Sequence, residues 1–338
     1  MLVSVLLAVR NEEKNIKSCL DALHQQDLPW GEWEVLIGND RSEDLTREIV
    51  LDFIKDKQHF KLIDIEGNLG QARYKGNVIA HLAHYAQGDY FLMTDADMYV
   101  PPTWISGMVK GFQQGKKIGV VTGFSLVKGK SLIAKLDGVD WVQNVGLMNI
   151  ASILKIPTNA MGNNMAVSKK AYWEIGGIEN QPYMVCEDMI MFKGILAKGW
   201  DFVHLHSKEI LGISQPQESF YQLLQQRKRW LDGALRLPWY LLIPLLANGL
   251  FLFIFIALFF IVAREIAIGI WLLRFLFHVL TISYFAQKIG QLWVIKYLLP
   301  YEIFITFFNP LVFIYYLLPI PMEWKGEKDR TFIKLNNE

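Results

Sequence analysis

Tyr90-Phe91-Leu92-Met93-Thr94-Asp95-Ala96-Asp97 is the stretch from which the rest of the chain can be read. Tyr90 to Met93 is a short apolar run of the kind that forms a buried strand, and it ends in two carboxylates one residue apart. Acids at the C-terminal edge of a strand can reach a hard divalent cation carrying a diphosphate. The same run would also suit a solvated turn ahead of the helix that begins near Pro101, so the neighbouring strand ends have to discriminate.

Leu2 to Ala8, Glu34 to Ile37, Phe60 to Ile63 and Ile118 to Thr122 are further apolar runs bounded by polar or glycine punctuation. Helical patterns lie between the runs, at Glu12 to Leu23, Asp44 to Ile54, Gln71 to His84 and Pro102 to Phe112. This alternation predicts an α/β fold with a mostly parallel central sheet and helices on both faces. Ligands in such sheets bind beyond the C-terminal ends of the strands.

The turn after the first strand, Val9-Arg10-Asn11-Glu12-Glu13, has no G-x-G-x-x-G, which argues against a dinucleotide-binding dehydrogenase. It also lacks the glycine-rich basic loop expected of a nucleotidyltransferase. After the second strand, Asp40 can accept hydrogen bonds from a base or ribose, whereas Asp44 reads as a helix cap. After the third, Gly70 and Ala72 would let a nucleotide or diphosphate approach a helix start, with Arg73 and Lys75 supplying positive charge. A plain turn with solvated bases is the rival reading there. His81, His84, His204 and His206 read as structural rather than metal-binding, although His206 could approach a metal.

Charge is uneven along the 338 residues although the net value is only +1. No basic stripe with interleaved aromatics suggests nucleic acid. Two cysteines, Cys19 and Cys186, are too few for a disulfide framework and point to a reducing compartment. Leu2 to Val9 reads as a strand rather than a signal peptide. Pro238 to Ala263 and Ile303 to Pro321 are uncharged, and Ile266 to Gln287 carries only Arg274 and His278. Runs of roughly 18 or more apolar residues can cross a bilayer. The expected organisation is therefore a catalytic domain over 1–235 with an interfacial helix near 217–235, a membrane anchor over 236–321 and a polar tail over 322–338. Basic residues before the first span and in the tail predict that both ends are cytoplasmic. Charge inside the middle stretch predicts two crossings, by the first and last stretches, with the middle one lying in the interface or re-entering; three crossings is the alternative.

The order of these strand ends, followed by Asp-Ala-Asp, resembles family 2 glycosyltransferases of the GT-A fold. The resemblance runs from about Leu2 to Trp230. Gly162-Asn163-Asn164 followed by Gly176-Gly177 is similar to the family's acceptor-side strand and turn. Glu187-Asp188 resembles its Glu-Asp motif, and Gln226-Arg227-Lys228-Arg229-Trp230 its Q-(Q/R)-x-R-W signature. The resemblance implies that Asp40 binds the base, Asp95 the ribose or metal, and Asp97 the metal and diphosphate. Asp188 would take the proton from an acceptor hydroxyl, and Arg229 with Trp230 would hold the diphosphate or shape the acceptor pocket. Arg73 belongs with the donor-side residues, and Gly162, Asn163, Asn164, Glu187 and Gln226 with the acceptor side. Asn39 stands where the family usually has an acid and Arg41 where glycine is common.

The implied activity is inverting transfer from a nucleotide-sugar, a UDP-sugar by resemblance, with Mg2+ or Mn2+ as cofactor. The acceptor is expected to be a lipid or polyisoprenoid-type alcohol at the inner (cytoplasmic) membrane. A soluble or growing polysaccharide and a non-catalytic membrane scaffold are the alternatives.

Overall fold

The computed structural model describes residues 2–29, 31–158, 160–184, 186–324 and 327–329. They divide into two compact units, Met1–Leu126 with Ala151–Gln215, and Val127–Ile150 with Pro216–Glu338.

Ten of the twelve strands among the described residues begin with β1 (Val3–Val9), β2 (Trp33–Asn39), β3 (Phe60–Asp64), β4 (Tyr90–Asp95) and β5 (Met98–Tyr99). They continue with β6 (Ile118–Thr122), β7 (Ser125–Val127), β8 (Asn164–Ser168), β9 (Asp201–His204) and β10 (Gly212–Ser214). Seven form one sheet in the order β3-β2-β1-β4-β8-β6-β9, and β5-β10-β7 form a small second sheet. All five expected strands are present. The large sheet is parallel except for β8, which runs antiparallel to both neighbours. Register places Ala8 beside Asp95 and Thr94 beside Asn164, so the ends of β1 and β4 meet the start of β8.

The helices of this unit include α1 (Ile16–His24), α2 (Thr46–Ile54), α3 (Tyr74–Tyr85) and α4 (Trp104–Phe112). Each begins two to four residues after its expected start because polar residues occupy the turn before it. At α1, for example, the Glu12 N–H donates to Thr46 Oγ1 at 2.7 Å, and Asn11 has φ of 50°. One sheet face, including Leu6, Leu36, Phe91, Met93, Val120 and Met165, packs in a single core with Val78 and Leu82 of α3. Alternate residues such as Val5, Val35, Leu92 and Val121 are equally buried and point to the other face. There α4 comes so close that a Cβ at Gly111 would stand 2.6 Å from Val121 Cγ1. Helices thus cover both faces, as the alternating pattern predicts.

After α5 (Leu132–Ile153) come α6 (Lys169–Glu174), α7 (Glu187–Ala197) and α8 (Phe220–Ala234). The chain then forms α9 (Trp239–Gly249), α10 (Phe251–Ile261), α11 (Arg264–Lys288) and α12 (Leu298–Leu317). Among the described residues two helical stretches are long and apolar enough to cross a membrane, Arg264–Lys288 and Leu292–Leu317. The pair α9 and α10 is bent by 68°.

The middle stretch forms one helix of 25 residues, and the first stretch is divided between two helices. Arg274 is tolerated in α11 because its guanidinium is paired with Glu302 and donates to Asn248 Oδ1 at 3.0 Å and Thr306 Oγ1 at 3.1 Å. Compensation of this kind offsets the cost that argued against a span. The break follows Gly249, a weak helix former whose missing side chain makes room for Phe313, 2.4 Å from where a Cβ would lie.

Candidate functional site

Three chain segments converge at the C-terminal edge of β4. Asp95 is the last residue of that strand, and Lys75, in the first turn of α3, reaches it with Nζ to Oδ1 at 2.5 Å. The same ammonium lies 3.3 Å from Glu187 Oε1 and donates to the Gly162 carbonyl at 3.1 Å. Gly162 closes the group, donating its N–H to Asp188 Oδ2 at 2.8 Å, while Met189 N–H donates to Asp188 Oδ1 at 2.8 Å. Glu187 and Asp188 sit in the first turn of α7, where carboxylates are favoured by the helix dipole. The approach at Gly162 is close, since a Cβ would lie 3.0 Å from Asp188 Oδ2 and press on that carboxylate.

Charge in this cluster is shared unequally. Burial, then the charge of Glu187, push the Asp188 carboxyl up to about 6, against Lys75 and the two N–H bonds. Burial works against the Lys75 charge, but Asp95 and Glu187 together hold its ammonium above the ordinary lysine range.

Asp97 lies two residues beyond the end of β4. Its carboxylate accepts from Ser214 Oγ at 3.3 Å, and its carbonyl from Gln215 N–H at 3.2 Å, where β5 pairs with β10. Asp95 and Asp97 both bear on Cys19, whose thiol is pushed up by burial and by those two charges. Two carboxylates with a hydroxyl nearby are hard oxygen donors. Among the described residues no third acid, histidine or cysteine joins them in a metal-binding group. That set fits Mg2+ or Mn2+ bound by one or two carboxylates with the remaining positions left to phosphate and water.

Other expected site residues lie differently. Asp40 is buried with both oxygens on guanidinium groups, at 3.4 Å from Arg10 and 3.0 Å from Arg41. Asn39 donates to Asp64 Oδ1 at 2.8 Å, which a second acid at that position could not do. Asp44 caps, accepting from the N–H groups of Thr46 and Glu13. Arg73 turns to the carbonyls of Gly70 and Ala72 and is exposed, so Lys75, two residues on, is the base that meets the acids. Gly70, at φ of 50°, does not open the helix start to a ligand: its absent side chain is replaced by the Glu179 carbonyl, 2.3 Å from a Cβ, and Ala72 lies in the core.

Asn163 accepts from Ser125 Oγ at 3.1 Å. Asn164 is not on the acceptor face but is a buried brace: it accepts from Trp104 Nε1 at 2.8 Å and donates to the carbonyls of Phe124 and Ile210. His204, lowered to about 4 by burial, pairs with Thr122, and His206 stacks 6.0 Å from the Phe124 ring. Ser214 escaped the sequence assignment, and Lys75 was read there as charge for a diphosphate rather than as the partner of these acids. For Lys75 the available signal was that gathered acids need a cation.

The Gln226-Arg227-Lys228-Arg229-Trp230 run belongs to the second unit, on α8. Arg227 is buried and paired with Asp137 and Asp140 of α5, the latter at 2.9 Å. Its guanidinium lies 4.3 Å from the centroid of the Trp230 ring, which meets Trp141 edge-on at 5.1 Å. Lys228 donates to the carbonyls of Tyr315, Leu318 and Ile320, at the C-terminal end of α12. Arg229 donates to the Glu323 carbonyl at 2.7 Å. Gln226 is half-buried, and its side-chain oxygen has no hydrogen-bond partner among the described residues.

A profile of glycosyl transferase family 2 matches residues 4–176. The poly-beta-1,6-N-acetyl-D-glucosamine synthase of Staphylococcus epidermidis is 28% identical over 244 residues, covering 68% of this chain and 54% of that protein. The Staphylococcus aureus enzyme of the same name is 25% identical over 238 residues, with the same coverage. The chain spans about half the length of the curated relatives it matches. A mannosyltransferase from Pyrobaculum calidifontis, solved with GDP-Man and Mn2+, superposes with a TM-score of 0.57 at 15% identity over 90% of this chain and 87% of its own. That likeness is one of fold.

Proposed function

The chain belongs to glycosyl transferase family 2, and we propose that it is an inverting, metal-dependent enzyme moving a sugar from a nucleotide-sugar to a hydroxyl of an acceptor at a membrane. The observation that carries this reading is the cluster at the β4 edge, where Asp95, Lys75, Glu187, Gly162 and Asp188 are joined by successive polar contacts.

In this reading Asp95 and Asp97 hold the divalent ion, and Ser214 steadies Asp97. When bound, the ion neutralises negative charge that develops on the diphosphate leaving group. Asp188 takes the acceptor proton. Its raised position makes it a better base than an ordinary aspartate while leaving it ionised at neutral pH. Gly162 N–H orients the receiving carboxylate, and Glu187 with Lys75 sets its charge. A single displacement without a covalent intermediate inverts the anomeric centre. Arg229 and Trp230 are assigned to the donor diphosphate or the acceptor pocket by family resemblance, as is Asp40 to the base and a UDP-sugar as donor.

Sequence similarity to polymer synthases favours a growing polysaccharide as acceptor. The apolar helices favour a lipid-borne one, and in this reading the enzyme is assigned to the inner membrane with its catalytic unit in the cytoplasm. The test is a screen of nucleotide-sugars with Mn2+ or Mg2+, repeated with Asp97→Asn. The expected result is metal-dependent release of nucleoside diphosphate that the variant loses, with the product sorted by solvent extraction into lipid or polymer. Donor binding by Asp97→Asn equal to wild type overturns the metal assignment.

A further inference from the structure

A cleft of about 490 Å³ opens at the edge of the seven-stranded sheet remote from Asp95, between the starts of β4 and β6 and the end of β8. Tyr90 and Asp95 are the two ends of β4, so roughly 17 Å of strand separates this cleft from the acid cluster. Its size is that of a small-ligand site.

The walls combine aromatic rings with lysines: Tyr90, Trp173 and Trp200, and Lys116, Lys169 and Lys170. Asp89 is the only carboxylate among the lining residues described. Trp200 is held in place. Its indole N–H donates to Glu174 Oε2 at 2.5 Å, and its Cβ lies 2.7 Å from where a side chain on Gly119 would begin. Lys117 and Lys170 direct their ammonium groups to this one ring, at 5.4 and 5.8 Å from its centroid. An indole face attracts each cation. Lys116, Lys117 and Lys170 form no ion pair among the described residues.

Two chemistries are therefore offered side by side. Fixed aromatic faces suit the apolar face of a pyranose ring, and the exposed ammonium groups of Lys116 and Lys170 on the same walls suit an anion. We infer that this cleft is a second carbohydrate site, which binds an oligosaccharide bearing carboxylate or phosphate groups with its sugar rings against the indoles. This assignment is independent of the chemistry at the β4 edge.

Calorimetric titration of the full-length protein in detergent tests it, with octagalacturonate, pentamannose 6-phosphate, neutral chitohexaose and inorganic phosphate as probes. At least one anionic oligosaccharide should bind, and chitohexaose should bind roughly tenfold more weakly or not at all. The triple variant Lys116→Ala, Lys117→Ala, Lys170→Ala, which alters only exposed side chains, should lose about tenfold or more in affinity for that oligosaccharide and keep wild-type donor turnover. Trp200→Phe should weaken binding without changing its salt dependence. The inference is overturned if neither anionic oligosaccharide binds, if chitohexaose binds as tightly, or if the triple variant keeps wild-type affinity. Inorganic phosphate displacing the oligosaccharide at equal concentration would equally overturn it, by reducing the site to charge alone.

Discussion

Asp188 and its neighbour Glu187 make opposite demands on one proton. An acid raised to about 6 binds more protons folded than unfolded between its ordinary value near 4 and 6. Its ionisation therefore removes stability as pH rises through that window, and the activity it supports appears over the same range. The expected kcat/KM profile rises with pH around a midpoint near 6. Glu187→Gln, by removing the like charge, should move that limb to lower pH. Asp188→Asn should cost about 10²–10⁴-fold in transfer with no fall in melting temperature, because it deletes a charge that burial disfavours. A profile flat from pH 5 to 8, or a variant that melts earlier, would contradict these assignments. Gly162→Ala should lower kcat while leaving donor affinity near wild type, since the added methyl presses on Asp188 alone.

Among the elements, α8 is where the apparent role of a motif and its packing diverge most. Read as a sequence, its basic residues face lipid phosphate or donor diphosphate. In the fold, Arg227 is buried against Asp137 and Asp140, and Lys228 caps the end of α12. Arg227→Met strands two buried acids, and about 3–5 kcal/mol of stability should be lost, read as a lower denaturation midpoint of the full-length protein. Asp137, raised to about 6 by burial, can take a proton in compensation. Asp137→Asn should therefore be much milder than Arg227→Met. Such pairings were illegible because the acids lie some ninety residues from the arginine, in a helix without motif character. Strand identity, by contrast, was legible at β1 to β4 and β6, where apolar runs end abruptly in polar turns. The two-residue β5 and three-residue β7 and β10 left no run to detect. Asp95, Asp97 and Asp188 stood out in the sequence because few residue types can do the chemistry assigned to them. Lys75 was read as charge for a diphosphate, and its pairing with Asp95 and Glu187 was illegible because those acids lie far along the chain.

For the whole molecule, membrane association rests on exposed apolar surface such as Leu272, Leu273, Leu276 and Leu280 along α11. The protein should remain with membranes after carbonate or high-salt washing, as buried hydrocarbon rather than screened charge predicts. Within the second unit, Glu302 is fully buried between Arg274 and His278, the latter at 2.6 Å. Glu302→Leu should leave a buried guanidinium without its counter-charge and reduce the folded yield in detergent, measured by size-exclusion recovery. Asp140 and Gln143 of α5 bond to Tyr301 and Thr281. A chain ending at residue 235 should consequently aggregate, because it strips those partners from α5.

Direction of travel along the sheet has a further consequence. Parallel strands bring their outgoing ends to the rim and there deposit side-chain acids. β8 alone arrives at that rim tail to head, and the loop that feeds it presents a main-chain amide at Gly162. One reversed strand thus brings a main-chain hydrogen donor to the rim, where it meets the carboxylate of Asp188 on α7. A donor of this kind survives every side-chain exchange except one to proline, which has no N–H to give.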